Sequence, residues 1–508
     1  MNALRGLRIA TAQRPLIHGL SLELIPGQCS ALVGESGSGK SLTALAIMNL
    51  LPPGLHVSGE GLSELHRLRR AMVFQEPMTA LNPTMRVGAQ IAEAAQARGK
   101  SPEDAQAYAL EWMQRVQLPE PELSYRKYPH QMSGGQRQRV MIAMAMAQDP
   151  DVLIADEPTT ALDHTVAHEI LALLRQLQKS EGFSMLFISH DLDAVQAVAD
   201  HLYVLRNGEC VEQGPIGQVI QSPTHPYTQG LLASRPPKDR KPLRLPTVQD
   251  FMDGRPVSAE ERPTYTGGTP ILEVVGLSKS FGGKSILSDL DLVLHEGETL
   301  GLVGASGSGK STIARCLVHL TQPDAGEIRY RGERIDGLDR AGRQAMAREI
   351  QYIFQDPFSS LSPRMRIGEA ILEAMQVHRL WGTAAEQRGK VLSLLEEVGL
   401  PDTEEAYTKY PHEFSGGQRQ RIGIARTLAV DPRVIICDES VAALDVSVQA
   451  QVLNVLNDLK DRFQFSYLFI SHDERVVRYM SDRTVVLGLE LGKKTESPGA
   501  QQRSKPQF

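Results

Sequence analysis

The strongest constraint on this chain is a long pattern that it writes twice. From Ser133 to Asp163 the sequence reads SGGQRQRVMIAMAMAQDPDVLIADEPTTALD, and from Ser415 to Asp445 it reads SGGQRQRIGIARTLAVDPRVIICDESVAALD. Asp156 and Asp438 hold the same place in the two copies, 438 − 156 = 282 positions apart. A chain of 508 residues is too long for one hydrophobic core, so the repeat reads as two domains of ordinary size.

Each copy carries the means to handle phosphate. Ser133-Gly134-Gly135-Gln136, and Ser415-Gly416-Gly417-Gln418 in the second copy, open a helix whose unpaired N–H groups and partial positive charge suit an anion. The run Val152 to Ala155 reads as a buried strand ending in Asp156 and Glu157, matched by Asp438 and Glu439. A carboxylate pair at a strand end suits magnesium and a water. Upstream lies GxxxxGKS, as Gly34-Glu35-Ser36-Gly37-Ser38-Gly39-Lys40-Ser41 and Gly304-Ala305-Ser306-Gly307-Ser308-Gly309-Lys310-Ser311. Its glycines let the backbone wrap phosphates, Lys40 and Lys310 reach the β- and γ-phosphates, and the hydroxyls of Ser41 and Ser311 can ligate magnesium.

These motifs, in this order and in two copies, resemble the ATP-binding subunits of ABC transporters over nearly the whole chain. The resemblance implies an α/β fold: two P-loop NTPase domains, each with a mixed sheet core, an antiparallel β subdomain and a helical subdomain. It assigns ATP and Mg2+ as cofactors. Glu157 and Glu439 become the water-orienting groups and His190 and His472 the switch histidines. Gln75 and Gln355 join Ser41, Asp156, Ser311 and Asp438 around the metal. Family architecture pairs the domains head to tail, so each ATP lies between one P-loop and the other domain's Ser-Gly-Gly-Gln turn. EPMTALNP after Gln75, DPFSSLSP after Gln355 and the tail SPTHPYT resemble the dipeptide and oligopeptide importer subfamily. The partners implied are two transmembrane permeases and an extracytoplasmic solute-binding protein, with the chain peripheral on the cytoplasmic face of the inner membrane.

The remaining sequence fits that reading. With a net charge of −6 there is no strong basic field, and no nucleic-acid partner is expected. Cys29, Cys210, Cys316 and Cys437 lack metal-type spacing and suit a reducing cytosol. Nowhere do eighteen apolar residues follow one another, so the chain is expected neither to span a membrane nor to be exported. The rival class, a soluble tandem cassette acting on ribosomes or nucleic acid, typically carries a long charged helical linker. Here residues 235–270 contain seven prolines and read as a flexible linker between domains at 1–234 and 271–487.

The copies are not equivalent. The interval from P-loop lysine to glutamine is shorter in the first (Lys40 to Gln75) than in the second (Lys310 to Gln355), which predicts a shortened strand and hairpin. The second copy writes Asp438-Glu439-Ser440 where the first has Asp156-Glu157-Pro158, and the polar end 488–508 reads as disordered. These departures keep open a partly degenerate transporter ATPase. Aligned on the P-loops, Phe281 falls where the family keeps a ring that stacks on adenine, and Thr11 stands there in the first copy.

Overall fold

A computed structural model of the chain describes residues 2–160, 162–305, 307–355, 360–442, 444–488 and 494–496. The chain divides into two compact units. The first comprises Met1–Leu232 and Val248–Arg255; the second comprises Ala233–Thr247 and the chain from Pro256 onward.

The first unit is built on a six-stranded sheet in the spatial order Arg70–Val73, Val152–Asp156, Ser184–Ile188, Cys29–Val33, His201–Arg206, Glu209–Pro215. All pairings are parallel except the last, a hairpin turned at Asn207 and Gly208, both with positive φ. Three of these strands, CSALV, VLIAD and SMLFI, are buried at every position. Near-continuous apolar strands of this kind belong to a parallel sheet covered on both faces. Their one charged residue, Asp156, stands where its strand ends.

An antiparallel sheet of Pro15–Leu24, Asn2–Ala10 and His56–Glu60 lies beside it. Its inward residues Leu4, Leu7, Ile9, Ile17 and Leu20 share one core with Leu32, Ile154 and Ile188 of the parallel strands and with Ala44 and Ile47 of the helix Lys40–Met48. A helical region, Val87–Gln96 and Pro102–Arg115, precedes the helix Gly134–Met146. The helix Pro102–Arg115 is capped by Ser101, whose hydroxyl accepts from the Asp104 N–H, with Pro102 at the first helical position.

The second unit repeats this plan. Its six-stranded sheet runs Ile350–Ile353, Val434–Asp438, Ser466–Ile470, Thr299–Gly304, Arg483–Leu487, Lys494–Glu496. Its antiparallel sheet has a fourth strand, Glu333–Arg334, and is followed by the helix Arg340–Glu349. Among the described residues the first unit has three strands there and a six-residue helix, Leu62–Arg67, which is the shortening that the sequence predicts.

Two segments differ from expectation. Residues 494–496, expected as part of a disordered end, form a strand antiparallel to Arg483–Leu487. A ladder needs backbone groups only, so a polar sequence does not prevent it. The proline-rich stretch 235–270 carries one short antiparallel bridge of its own, Pro242 opposite Glu261, and is otherwise held by side chains. Asn454, almost fully buried, donates to the Leu245 carbonyl and accepts from its N–H, both at 2.8 Å, while the Leu245 side chain joins the core of the second unit. Arg244 pairs with Asp458, Arg262 with Asp461, and Lys241 donates to the Ser481 carbonyl. Between these segments the short helix Val248–Met252 belongs to the first unit, where Val248 lies so close to Gly230 that a Cβ there would fall 2.8 Å from the Val248 Cα.

Removing the Asn454 amide would leave two buried backbone groups unpaired. Asn454→Ala is expected to destabilise the second unit by about 2–3 kcal/mol in urea unfolding, the scale of an unsatisfied buried polar group. A loss below about 0.5 kcal/mol would show that Leu245 is not anchored this way.

Candidate nucleotide sites

In the first unit four strand ends converge. The strand Cys29–Val33 runs into the glycine-rich loop, Arg70–Val73 leads to Gln75, Val152–Asp156 to Glu157, and Ser184–Ile188 to His190. In open α/β sheets ligands bind at the carboxyl ends of the strands. Gly34 has φ 155° and a Cβ there would sit 2.2 Å from the Leu205 carbonyl oxygen; at Gly39, with φ 106°, it would sit 2.1 Å from the Ile17 side chain. Only glycine fits either position. The helix Lys40–Met48 follows with no side-chain cap and no acidic residue in its first turn, which leaves its positive end to an anion. The buried Lys40 ammonium donates to the carbonyls of Gly34 and Glu35, both at 2.8 Å.

Asp156 and Glu157 occupy different environments. Asp156 is buried, its Oδ1 has no hydrogen-bond partner, and the Ser41 hydroxyl lies by its carboxylate. Burial raises its pKa, the Ser41 hydroxyl acts to lower it, and the neighbouring Glu157 charge adds to the rise. A desolvated carboxylate oxygen without a donor, beside a hydroxyl, is a donor set that fits a small hard cation such as magnesium. Glu157 is clamped instead. Its Oε2 accepts from Gln75 Nε2 at 2.9 Å and from the Thr160 hydroxyl at 3.0 Å, while its Oε1 meets His190 Nδ1 at 3.0 Å. Burial alone would raise the Glu157 pKa, but the hydrogen bond and charge of His190 turn the net shift downward. Burial likewise opposes charge on His190, and Glu157 reverses it, so the ring's pKa is raised.

The second unit assembles the counterparts. Lys310 donates to the carbonyls of Gly304 and Ala305 at 2.6 and 2.9 Å, and Gln355 Nε2 donates to Glu439 at 2.7 Å. His472 Nδ1 stands 3.6 Å from Glu439, each the main cause of the other's shift: the glutamate down, the histidine up. Asp438 is buried with its Oδ1 unpartnered, but its Oδ2 accepts from the Tyr352 hydroxyl at 2.5 Å. Ser306 lies outside the described residues, and so do positions 356–359 of the segment after Gln355.

Each Ser-Gly-Gly-Gln turn begins a helix through a capping box. Ser133 Oγ accepts from the Gln136 N–H and Gln136 Oε1 accepts from the Ser133 N–H; Ser415 and Gln418 do the same. Gly135 and Gly417 pack on the following helix, where a Cβ would fall 2.5 Å from Val166 and 2.1 Å from Val448. The Phe281 ring ends its strand 52 % exposed, with the Lys279 ammonium 5.3 Å from its centroid. Thr11 supplies no ring: its hydroxyl closes a turn by accepting from the N–H groups of Gln13 and Arg14. The sequence reading missed Thr160 and Tyr352. The first was visible as a hydroxyl three residues after Glu157 that the second copy replaces with Ala442.

A glycine loop with its lysine, a desolvated aspartate beside a serine, and a glutamate held by glutamine and histidine define a P-loop nucleoside triphosphatase, here in two copies. A family profile described as ABC transporter matches residues 17–160 and 287–442, and one described as Oligopeptide/dipeptide transporter, C-terminal region matches residues 211–255. Glutathione import ATP-binding protein GsiA of Salmonella paratyphi A is 45% identical over 527 residues, covering 95% of this chain and 84% of that protein. The protein of the same name from Escherichia coli K12 is 44% identical over 511 residues, covering 93% and 82%. The chain belongs to the ABC transporter family, as a peptide-importer ATPase with two cassettes. Among solved structures, that of archaeal ribosome recycling factor aABCE1 with ribosomal stalk protein aP1 aligns with TM-score 0.63 at 21% identity, covering 92% of this chain and 84% of that one. At that identity the likeness shows the fold alone. No helix among the described residues is long and apolar enough to cross a membrane.

The His190–Glu157 pair has a defined pH window. A raised histidine pKa stabilises fully below its ordinary 6.5 and is lost as pH rises through the raised value; a lowered glutamate pKa stabilises above its ordinary 4.5 and is lost as pH falls through the lowered value. The pair therefore contributes fully between those ordinary values. Histidine NMR titration should place the His190 pKa above 6.5, and Glu157→Gln should lower it, because the hydrogen bond and charge that oppose burial are then lost, leaving only the Asp191 charge against it. An unchanged value in the variant would refute the pairing.

Proposed function

We propose that the chain energises import of glutathione or comparable short peptides, acting with two permease subunits at the cytoplasmic face of the membrane and receiving cargo through a separate solute-binding protein. The observation that carries this reading is similarity to a glutathione import ATP-binding protein along 95% of the chain, together with the oligopeptide-type region at 211–255.

The mechanism follows from phosphoryl transfer, in which the protein positions groups and stabilises charge. Lys40 and Lys310 with their glycine loops would cradle the phosphates. Ser41 with Asp156, and Ser311 with Asp438, would hold magnesium close to Gln75 and Gln355; the ion would neutralise charge on the β- and γ-oxygens. Glu157 and Glu439 would orient the attacking water, with His190 and His472 tying each glutamate to the γ-phosphate end. Ser133 to Gln136 and Ser415 to Gln418 would complete each site from the other cassette, so that ATP joins the two domains and hydrolysis parts them. Phe281 would stack on one adenine, while Thr11 offers no equivalent for the other.

The double variant Glu157→Gln, Glu439→Gln removes the two water-orienting carboxylates and leaves the phosphate-binding groups intact. It should retain ATP through gel filtration and hydrolyse at least about 100-fold more slowly, the usual weight of a general base. Hydrolysis at the wild-type rate would overturn the assignment.

Affinity capture from detergent-solubilised membranes tests the transport reading. It should recover two polytopic membrane proteins, and uptake of labelled glutathione or dipeptides should depend on intact Lys40 and Lys310. Recovery of ribosomal proteins without membrane proteins would favour the two-cassette soluble class instead.

A further inference from the structure

The two glutamates are held differently. A carboxylate offers about four acceptor positions. On Glu157 three are taken, by Gln75 Nε2 at 2.9 Å, Thr160 Oγ1 at 3.0 Å and His190 Nδ1 at 3.0 Å. That fixes the plane of the carboxylate and leaves one direction for a water. On Glu439 the hydrogen bond from Gln355 is retained at 2.7 Å, but His472 stands at 3.6 Å, an ion-pair contact beyond hydrogen-bond length. The position three residues on is Ala442, whose methyl group donates nothing. The rest of the two settings is alike: both glutamates have φ near +48°, at 47° and 49°, and both donate their N–H to the end of the neighbouring strand, at Ile188 and Ile470. Among the groups that hydrogen-bond to the two glutamates, the hydroxyl is thus the difference that the sequence makes; the adjoining change from Pro158 to Ser440 adds no donor to the carboxylate, since the Ser440 hydroxyl has no hydrogen-bond partner.

We infer that Thr160 is a positioning residue for water attack, and that the site around Lys40 cleaves ATP faster than the site around Lys310 because only the first glutamate is pinned by a hydroxyl. The inference rests on the assignment of Glu157 and Glu439 as the water-orienting groups. A pinned carboxylate presents its open lone pair in one direction, so the water is held near the line of attack more of the time. A glutamate held at one oxygen rotates about its Cγ–Cδ bond and spreads that direction.

The experiment is rapid-quench cleavage of labelled ATP by the full-length chain, with nucleotide binding measured separately by a fluorescent ATP analogue. Wild type should show two phases of similar amplitude. Thr160→Val should slow the fast phase by about tenfold, the scale of a hydrogen bond to a charged group, without weakening nucleotide binding. Thr160→Ser should restore it, and Ala442→Thr should accelerate the slow phase. A single phase in wild type, an unaltered fast phase in Thr160→Val, or a loss in Thr160→Val that serine does not rescue would each overturn the inference. Glu157→Gln separates the two levels of the argument. If it leaves cleavage intact, the water-orienting assignment fails; if it abolishes the fast phase while Thr160→Val does not touch it, the assignment stands and the role given to Thr160 falls.

Discussion

The structure of each site depends on burial of the parallel strands. Cys29–Val33, Val152–Asp156 and Ser184–Ile188 are covered at every residue, and before their carboxyl ends they carry no charged group, only the serines Ser30 and Ser184, whose hydroxyls donate to backbone carbonyls. Parallel strands share a direction, and their ends fall on one edge of the sheet. Gly34, Gln75, Glu157 and His190, scattered over more than half of the first unit's sequence, meet there because the hydrophobic effect forbids them any earlier position. The chemistry is a boundary condition of the core.

The same arrangement explains why Asp156 and Glu157, adjacent in sequence, have opposite electrostatics. Asp156 is the last residue inside the sheet and keeps an unpartnered oxygen. Glu157 is the first outside it, with φ 47°, and this left-handed turn swings its carboxylate toward Gln75, Thr160 and His190. One peptide step separates a desolvated carboxylate, short of donors, from a carboxylate held by three of them.

What the sequence discloses follows from how local each signal is. The first glycine loop and the DE pairs depend on residues a few positions apart, and they stand where the pattern places them, as do the helix caps at Ser101 and Thr383, whose hydroxyls each accept from the N–H three residues on. Asn454 and Leu245 are 209 positions apart, and no feature of either announces the other. The proline content of residues 235–270 argues against a long ladder there, and the stretch pairs with itself only at Pro242 and Glu261. It says nothing of whether an extended segment docks through side chains on a neighbouring surface. The Tyr352–Asp438 bond is hidden for a similar reason: a tyrosine in an apolar strand reads as core until the adjacent strand shows where its hydroxyl lands.

The capping boxes at Ser133 and Ser415 carry one more consequence. In each, the serine hydroxyl takes the third helical N–H, and the fourth, at Arg137 and Arg419, bonds back to the serine carbonyl. The outward donors left by this bookkeeping are the N–H groups of the two glycines, Gly134 with Gly135 and Gly416 with Gly417. The serine side chain thus works as a stencil, cut before any anion arrives. It leaves two donors open and masks the rest, so a phosphate bound there as proposed would find a finished template, and the turn would lose little further conformational freedom on contact.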